Sequence, residues 1–500
     1  MTVAGPRSHA ADEPPAEGAF RRERGAARGG WPSPVRRRAA RATAALSLLV
    51  GCLLLVGLGG DGGGVPLVAG SAANRQVSAD LARTPPMGWN SWNALGGEVR
   101  DGDIRAAADA LVSSGMRTAG YRYVIVDDGW MAPTRGSDGR LVADPERFPA
   151  GIAALAAYVH ARGLKFGLYA SPGRTTCQGL PGSFGHETTD AATFAAWGVD
   201  YLKYDACGYP GLRPGGTDAR RWLIAGFARM RAALDATGRP VVFSINPSSD
   251  GDPAAVRAWT WAPRVAHLWR VTNDHAPCWA TTEPMDGYPG VCTTDNLDAA
   301  RAWEPDGGPG RWNDLDMLAI GLTPAAANPV VRQLAGLATG TPAASLDDTE
   351  ARAEMSIWSM LASPLLAGND LTRMTATTAA ILTNPAVLAI DQDPLGAAPV
   401  PVPRGDGLAL WTRPLADGDT AVLAVNRGDS PRAATLTGAE LALPATATAT
   451  AGYRATDLWT GTSTTIADGA LPVALAPHAA ALFRLAPAGR DVRRVPQAQD

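Results

Sequence analysis

Gly198-Val-Asp-Tyr-Leu-Lys-Tyr-Asp-Ala-Cys-Gly-Tyr209 contains a short apolar segment of β character that ends in charge. Side chains alternate faces along a strand, so Lys203 and Asp205, two residues apart, lie on the same side. An ammonium so placed favours the ionised, nucleophilic form of the carboxylate. Lysine occurs only at Lys165 and Lys203 in a chain with 45 basic residues, so both are compositional exceptions. A structural ion pair at a strand end has the same local pattern. The sequence on either side decides between the two.

Outward from this segment, residues 84–390 repeat one theme: a short apolar strand ending in polar or aromatic residues, then an Ala-rich amphipathic stretch. Strands are expected at Gly88–Trp92, Tyr123–Asp127, Lys165–Ala170, Tyr201–Asp205, Val241–Asn246, Leu268–Thr272, Asp316–Ile320 and Pro364–Asn369. Helices are expected at Asp101–Ser114, Gly151–Arg162, Asp190–Trp197, Asp218–Thr237, Thr323–Ala338 and Ala351–Leu361. This is the rhythm of an α/β (β/α)8 TIM barrel, in which chemistry gathers where the strands end. Beyond Asp391-Gln-Asp-Pro-Leu-Gly396 the pattern changes to short alternating runs such as Leu408–Thr412, Thr420–Val425 and Ala480–Leu485, with Gly, Asp and Pro turns. Residues 397–487 therefore read as a C-terminal antiparallel β-sandwich. The biased run Ala445–Ala451 reads as a loop, and 488–500 as a disordered tail.

The 500 residues carry a formal charge of −3, and no basic stripe remains outside the N-terminal region, which argues against a nucleic-acid partner. Residues 1–43 read as a basic, disordered leader, and 44–73 as a signal or anchor segment with an apolar run at Ala44–Gly60. Export is expected, either as a secreted protein or with an N-terminal membrane anchor. Small residues at Ala69–Ala73 offer cleavage positions, and Leu49-Val-Gly-Cys52 has the outline of a lipobox. In an exported chain, Cys177, Cys207, Cys278 and Cys292 read as disulfides. Four thiols allow three pairings; joining near neighbours gives Cys177–Cys207 and Cys278–Cys292. Neither CxxC nor histidine spacing supports zinc.

Carboxylates and amides collect at the expected strand ends: Asp127 and Asp128, Asp205, Asn246, Asp274, Asp314 and Asp316. Trp89, Trp92, Trp130, Tyr169, Trp269 and Trp312 occur among them, and apolar faces beside acceptors suit a sugar. Each aromatic taken alone reads as core packing. The carboxylates could hold a divalent ion, but Lys203 beside Asp205 and Arg270 beside Asp274 would repel one, so neither a metal nor another cofactor is expected. No GxSxG elbow supports a Ser-His-Asp system, and apart from His275, next to Asp274, the histidines fall in structural contexts. Two carboxylates doing nucleophilic and acid–base work fit glycoside hydrolysis.

Six ordered motifs carry a resemblance across the whole barrel: Thr84-Pro-Pro-Met-Gly-Trp-Asn-Ser-Trp92, Tyr123-Val-Ile-Val-Asp-Asp-Gly-Trp130, Phe166-Gly-Leu-Tyr169, Lys203-Tyr-Asp-Ala-Cys207, Trp269-Arg270 with Asp274, and Trp312-Asn-Asp-Leu-Asp-Met317. Together they resemble glycoside hydrolase family 27, the α-galactosidase or melibiase family, and Asp457-Leu-Trp-Thr-Gly461 and Leu475-Ala-Pro-His478 resemble its C-terminal sandwich. The resemblance implies a retaining exo-glycosidase that removes terminal α-D-galactosyl residues from oligo- or polysaccharides. Asp205 would be the nucleophile and Asp274 the acid–base, and the apolar and aromatic residues around Asp274 in the sequence are expected to raise its proton affinity. Trp89, Asp127, Asp128, Tyr169, Lys203, Arg270 and Asp316 would bind the sugar, with the two aspartates of the second strand gripping its 4- and 6-hydroxyls. A Cys177–Cys207 bridge is also implied. The same scaffold serves β-L-arabinopyranosidase and α-N-acetylgalactosaminidase activities, and a carbohydrate-binding protein would need neither catalytic aspartate. Three departures stand out: Ser244-Ile-Asn-Pro247 in place of a Cys-Glu-Trp-type segment near the sugar's 2-position, Gly129 where cysteine is frequent, and His275-Ala-Pro-Cys278 after Asp274 in place of an Ile-containing run.

Overall fold

The computed structural model describes residues 80–247, 257–282, 291–302, 307–341, 344–443, 452–466 and 469–488. The leader, the apolar segment 44–73, the run Ala445–Ala451 and the tail from 489 lie outside the described residues.

Eight strands form one sheet: β1 Met87–Asn90, β2 Tyr123–Val126, β3 Lys165–Ala170, β4 Tyr201–Asp205, β5 Val242–Asn246, β6 Leu268–Arg270, β7 Trp312–Asp314 and β8 Leu365–Ala367. They lie in the order β7-β6-β5-β4-β3-β2-β1-β8, and every pairing is parallel. Parallel strands covered by helices are buried on both faces, hence near-continuous apolar runs such as Tyr123–Val126. Tyr123, Ile125, Tyr201, Val242, Leu268, Met317 and Leu366 fill the barrel interior. Val124, Val126, Leu202 and Tyr204, from the alternate positions, belong to the large core under the helices.

The seventh strand departs from expectation. The ladder to β6 runs Leu268↔Trp312, Trp269↔Asn313 and Arg270↔Asp314, ahead of the apolar stretch at 316–320. Asp316 then adopts left-handed φ of 80°, which breaks the strand. Past that break, Leu318 makes a parallel bridge to Ala367 of β8 and closes the barrel. One interrupted segment therefore serves both neighbours, and its polar half pairs with β6.

The helices form where the apolar periodicity puts them, with ends set by caps. The stretch expected from Thr323 becomes helical only at Pro329–Thr339, because Asn328 accepts hydrogen bonds from the Val330 and Val331 N–H groups and Pro329 occupies the first helical position. Helix Thr293–Ala299 had no counterpart in the sequence reading. Helices Ala376–Leu382 and Pro385–Asp391 lead out of the barrel.

The C-terminal part has a six-stranded antiparallel sheet, ordered β14 Ser463–Ile466, β13 Tyr453–Asp457, β16 Ala480–Pro487, β11 Thr420–Asn426, β10 Leu408–Pro414 and β9 Val400–Val402, facing the pair β12 Arg432–Thr437 and β15 Ala470–Leu475. Leu408, Leu410, Val422 and Ala424 point between the sheets, with Leu436 and Leu471 opposite. Ala409, Trp411, Leu423 and Val425, one residue out of phase, pack with the barrel's core. Helix Asp348–Met360 is the shared wall. It carries Glu350, which pairs with His478 at 2.7 Å, and Ser356, whose hydroxyl receives the Trp459 indole N–H at 2.9 Å.

Candidate active site

The inward-facing positions of β4 are Tyr201, Lys203 and Asp205, so the sequence pair does open into the barrel on one side. Its expected partnership is different, however. The Lys203 ammonium donates to Asp127 Oδ2 at 2.8 Å, across two strands, and Asn90 Nδ2 donates to the same oxygen at 2.7 Å. Lys203 reaches Asp205 only through its field. Burial works against the Lys203 charge, but Asp127, Asp205, Asp316 and Asp274 outweigh it and hold the ammonium firmly protonated.

Asp205 is 6% exposed, and among the described residues its Oδ1 has no hydrogen-bond partner. Burial pushes its carboxyl up to about 8; Lys203 and Arg270 pull it down, and Asp274 and Asp127 push it up. A buried carboxylate oxygen left unpaired costs folding free energy, and Asp391, at the end of the barrel's last helix, shows the same feature away from the mouth.

Asp274 lies in the loop after β6, with its side chain 56% exposed. The apolar setting expected for it is absent: its Oδ1 is 3.1 Å from Arg270 Nη2, and more than half of the side chain is exposed. Arg270 is buried and also bridges to Asp316 Oδ1 at 2.9 Å. The second oxygen of Asp316 receives the His275 backbone N–H at 2.8 Å, and its own N–H donates to Asp314 Oδ1 at 2.8 Å. The left-handed backbone of Asp316 is thus held by contacts at N–H, side chain and carbonyl, the last receiving the Trp358 indole N–H at 2.9 Å. Burial raises the carboxyls of Asp316 and Asp314, against Arg270 in both cases, with Asp314 reaching about 6.

Asp128 is fixed from both sides. Its Oδ1 receives the Gly129 N–H at 2.8 Å and its Oδ2 the Gln178 N–H at 2.9 Å. Burial lifts it to about 6, with the Gln178 bond opposing. Gly129 explains one departure from the family pattern: its φ is 106°, and a Cβ there would sit 2.5 Å from the Gly97 carbonyl oxygen, so cysteine cannot occupy this backbone. Gln178 follows Cys177, and Cys177 is bonded to Cys207 with Cα atoms 5.1 Å apart. Cys278 and Cys292 form the second bridge, Cα to Cα 4.9 Å. The Cys177 and Cys207 sulfurs and an Asp205 carboxylate oxygen lie within 4.8 Å of one another, so the bridge backs the floor of the site. Replacing Cys177 and Cys207 by Ser is expected to cost roughly 3–4 kcal/mol from the 30-residue loop alone. It should also raise KM by roughly tenfold as the Gln178 N–H leaves Asp128. Thermal melts and Michaelis kinetics check both; an unchanged KM contradicts the support assigned to the loop.

The expected aromatic wall is mostly core. Trp130, Trp269 and Trp312 are buried, with their indole N–H groups on Tyr169 O, Asn313 Oδ1 and Ala82 O. Trp89 is not brought to the mouth either: Asn90 points inward, so its strand neighbour faces away, 2% exposed, and donates to Asn369 O at 2.7 Å. Trp92, half-buried and packed against the interior cluster, is the tryptophan on the mouth side. Tyr169 faces inward, its ring centroid 5.4 Å from Lys203 Nζ, but its hydroxyl turns to Cys177 Sγ at 3.2 Å. Ser244 and Asn246 line a small cavity of about 10 Å³ with Lys203 and Arg270 inside the barrel. Asn90, Gln178 and Glu354 were missed by sequence reasoning. Only Asn90, beside Trp89 in a quoted motif, left a usable signal.

Asp127, Asp128, Asp205, Asp274, Asp314 and Asp316 share this mouth with Lys203 and Arg270, an acidic excess suited to a positively charged transition state. A barrel with such carboxylates at its strand ends has the make-up of a glycoside hydrolase. Residues 84–393 match the family model described as alpha galactosidase A, and residues 405–485 that of the alpha galactosidase C-terminal beta sandwich domain. The chain is 41% identical over 381 residues to alpha-galactosidase A of Cellvibrio japonicus, covering 75% of this chain and 83% of that one. Its structure is similar to alpha-galactosidase I of Mortierella vinacea, with a TM-score of 0.70, 31% identity and coverage of 82% and 98%. It is also similar to the Saccharomyces cerevisiae α-galactosidase solved with raffinose, with a TM-score of 0.70, 26% identity and coverage of 83% and 100%. The chain belongs to glycoside hydrolase family 27, the α-galactosidase or melibiase family.

Proposed function

We propose that this α-galactosidase works with retention, Asp205 attacking the anomeric carbon and Asp274 serving as acid and then base. The observation that carries the reading is the contrast between the two carboxyls. Asp205 is buried at the end of β4 with an unpaired oxygen, and Asp274 is exposed above it on Arg270. A nucleophile gains from desolvation once ionised, and an acid that must serve both leaving sugar and incoming water needs the open side. Burial is the larger influence on the Asp205 carboxyl, and Lys203 and Arg270 oppose it, favouring the ionised form that attacks. Attack forms the glycosyl–Asp205 ester as the glycosidic bond breaks and the Asp274 proton passes to the leaving oxygen. Asp274 then takes a proton from water, which cleaves the ester.

The sugar would sit against Trp92, with Lys203, Arg270 and Asp316 supplying polar contacts. Asp127 and Asp128 would take the 4- and 6-hydroxyls: Asp127 is held by the Asp128 N–H, Lys203 and Asn90, Asp128 by the Gly129 and Gln178 N–H groups, and acceptor capacity remains on each carboxylate. The pair therefore favours galactose over a pentopyranose without the C6 arm. Substrates would be α-galactosyl oligo- or polysaccharides outside the cytoplasm, in keeping with two disulfides. A screen of aryl α-galactoside, β-L-arabinopyranoside and α-N-acetylgalactosaminide tests this: the α-galactoside is expected to have the highest kcat/KM. A preference for the arabinopyranoside would remove the 6-hydroxyl contact from the Asp127–Asp128 pair.

Lys203→Met is expected to leave the barrel folded, to lower kcat/KM, and to move its acid limb to higher pH. The sign follows from charge: removing the cation nearest in effect tightens proton binding by Asp205, which must be ionised to attack. A pH profile of kcat/KM reads the free enzyme. An unmoved acid limb contradicts the electrostatic role of Lys203.

A further inference from the structure

Behind the loop that bears Asp274 lies a buried pair that the reaction as described leaves unused. His275 and Glu354 have no exposed side-chain surface, and His275 Nε2 is 3.2 Å from Glu354 Oε2. The other ring nitrogen has the Val291 carbonyl oxygen at 2.9 Å and the Asn296 amide nitrogen at 3.1 Å. When that nitrogen accepts from Asn296, the proton of the neutral ring lies on Nε2 and is donated to Glu354. Glu354 also receives the Ala319 N–H at 2.7 Å and the Thr293 hydroxyl at 3.3 Å, and the imidazole packs on Trp358 with ring centroids 5.0 Å apart.

A buried pair of this kind is weak evidence for stability, because apolar side chains of like volume serve a core as well. What it touches is more informative. The backbone N–H of His275 holds Asp316, Asp316 holds Arg270, and Arg270 holds the carboxyl of Asp274, the residue just before His275. The contacts close a ring. They anchor Asp274 at its following residue and at its side chain, the two points that fix the direction of an otherwise exposed carboxyl. Glu354 adds Ala319, beyond the left-handed Asp316, to the same anchor.

We infer that His275 and Glu354 are positioning residues for the acid step, holding Asp274 in line with the leaving oxygen through the Asp316–Arg270 bridge. The inference rests on the acid–base reading of Asp274. A displacement of about 1 Å in such a group can cost around 10²-fold, and the loss should depend on the leaving group, because a 2,4-dinitrophenolate departs without a proton and a sugar does not.

The test compares kcat/KM for melibiose and for 2,4-dinitrophenyl α-galactoside in His275→Leu and in the isosteric Glu354→Gln, with Asp274→Ala alongside. His275→Leu is expected to lose about 10–100-fold on melibiose and less than about threefold on the aryl galactoside. Glu354→Gln should show the same split more weakly, and it carries the test if the leucine variant does not fold. Equal losses on both substrates, or none on either, while Asp274→Ala shows the split, overturn the inference alone. Absence of a split in Asp274→Ala overturns the acid reading and the inference with it.

Discussion

Asp205→Ala is expected to lower turnover of any α-galactoside at least about 10⁴-fold, beyond the roughly 10²–10⁴ that loss of general acid–base catalysis brings. The effect should not depend on the leaving group, since without the carboxylate neither an aryl nor a sugar substrate can form the glycosyl ester. The same variant position carries a stability signature. The folded carboxyl titrates near 8 and the unfolded one near 3.8, so between those values the folded state binds more protons and loses stability as pH rises. Asp205→Asn, neutral throughout, should therefore melt higher than the parent protein at pH 8 and gain less at pH 5. Thermal melts at the two pH values, with kinetics on melibiose and an aryl galactoside, check both halves. A variant that keeps a tenth of the parent activity removes Asp205 from the reaction.

Asp274→Ala is expected to lose about 10²–10⁴-fold in kcat/KM on melibiose and far less on 2,4-dinitrophenyl α-galactoside. The first step on the aryl substrate needs no proton, but the second still needs a base, so the glycosyl-enzyme should accumulate and kcat should fall on both. A burst of dinitrophenolate followed by a slow steady state is the observable. Because Asp274 is exposed and its carboxyl, among the described residues, is bonded to Arg270 alone, its removal should leave the melting temperature nearly unchanged. Equal losses in kcat/KM on both substrates would mean that Asp274 is not the acid.

Much of this architecture is legible in the chain because parallel barrel strands are buried on both faces and so appear as unbroken apolar runs: β2, β3 and β4 start where their sequences say. The seventh strand is not legible, since Trp312-Asn-Asp314 is polar and the apolar residues lie beyond the left-handed Asp316. Carboxylates were visible because they end strands. Their partners were not. Lys203 suggested Asp205 from a spacing of two, but the ammonium binds Asp127, 76 residues away, a contact created only when the sheet curls. Trp89 and Trp92 show the limit of counting along a motif, because one step of strand alternation decides which ring faces the mouth. Glu354 sits in a helix whose periodicity reads as ordinary packing, and His275 meets it across 79 residues. Nothing local marks either as part of the site.

The anomeric configuration of the first product tests the central claim most directly, since it reports on the geometry of attack and not on the loss of a side chain. A nucleophilic Asp205 with an acid at Asp274 requires two displacements at the anomeric carbon, the carboxyls standing about 5–5.5 Å apart when the sugar is bound. Proton NMR during hydrolysis of an aryl α-galactoside, recorded before mutarotation, is expected to show α-galactose first. First appearance of β-galactose would mean one displacement by water and would contradict Asp205 as the nucleophile.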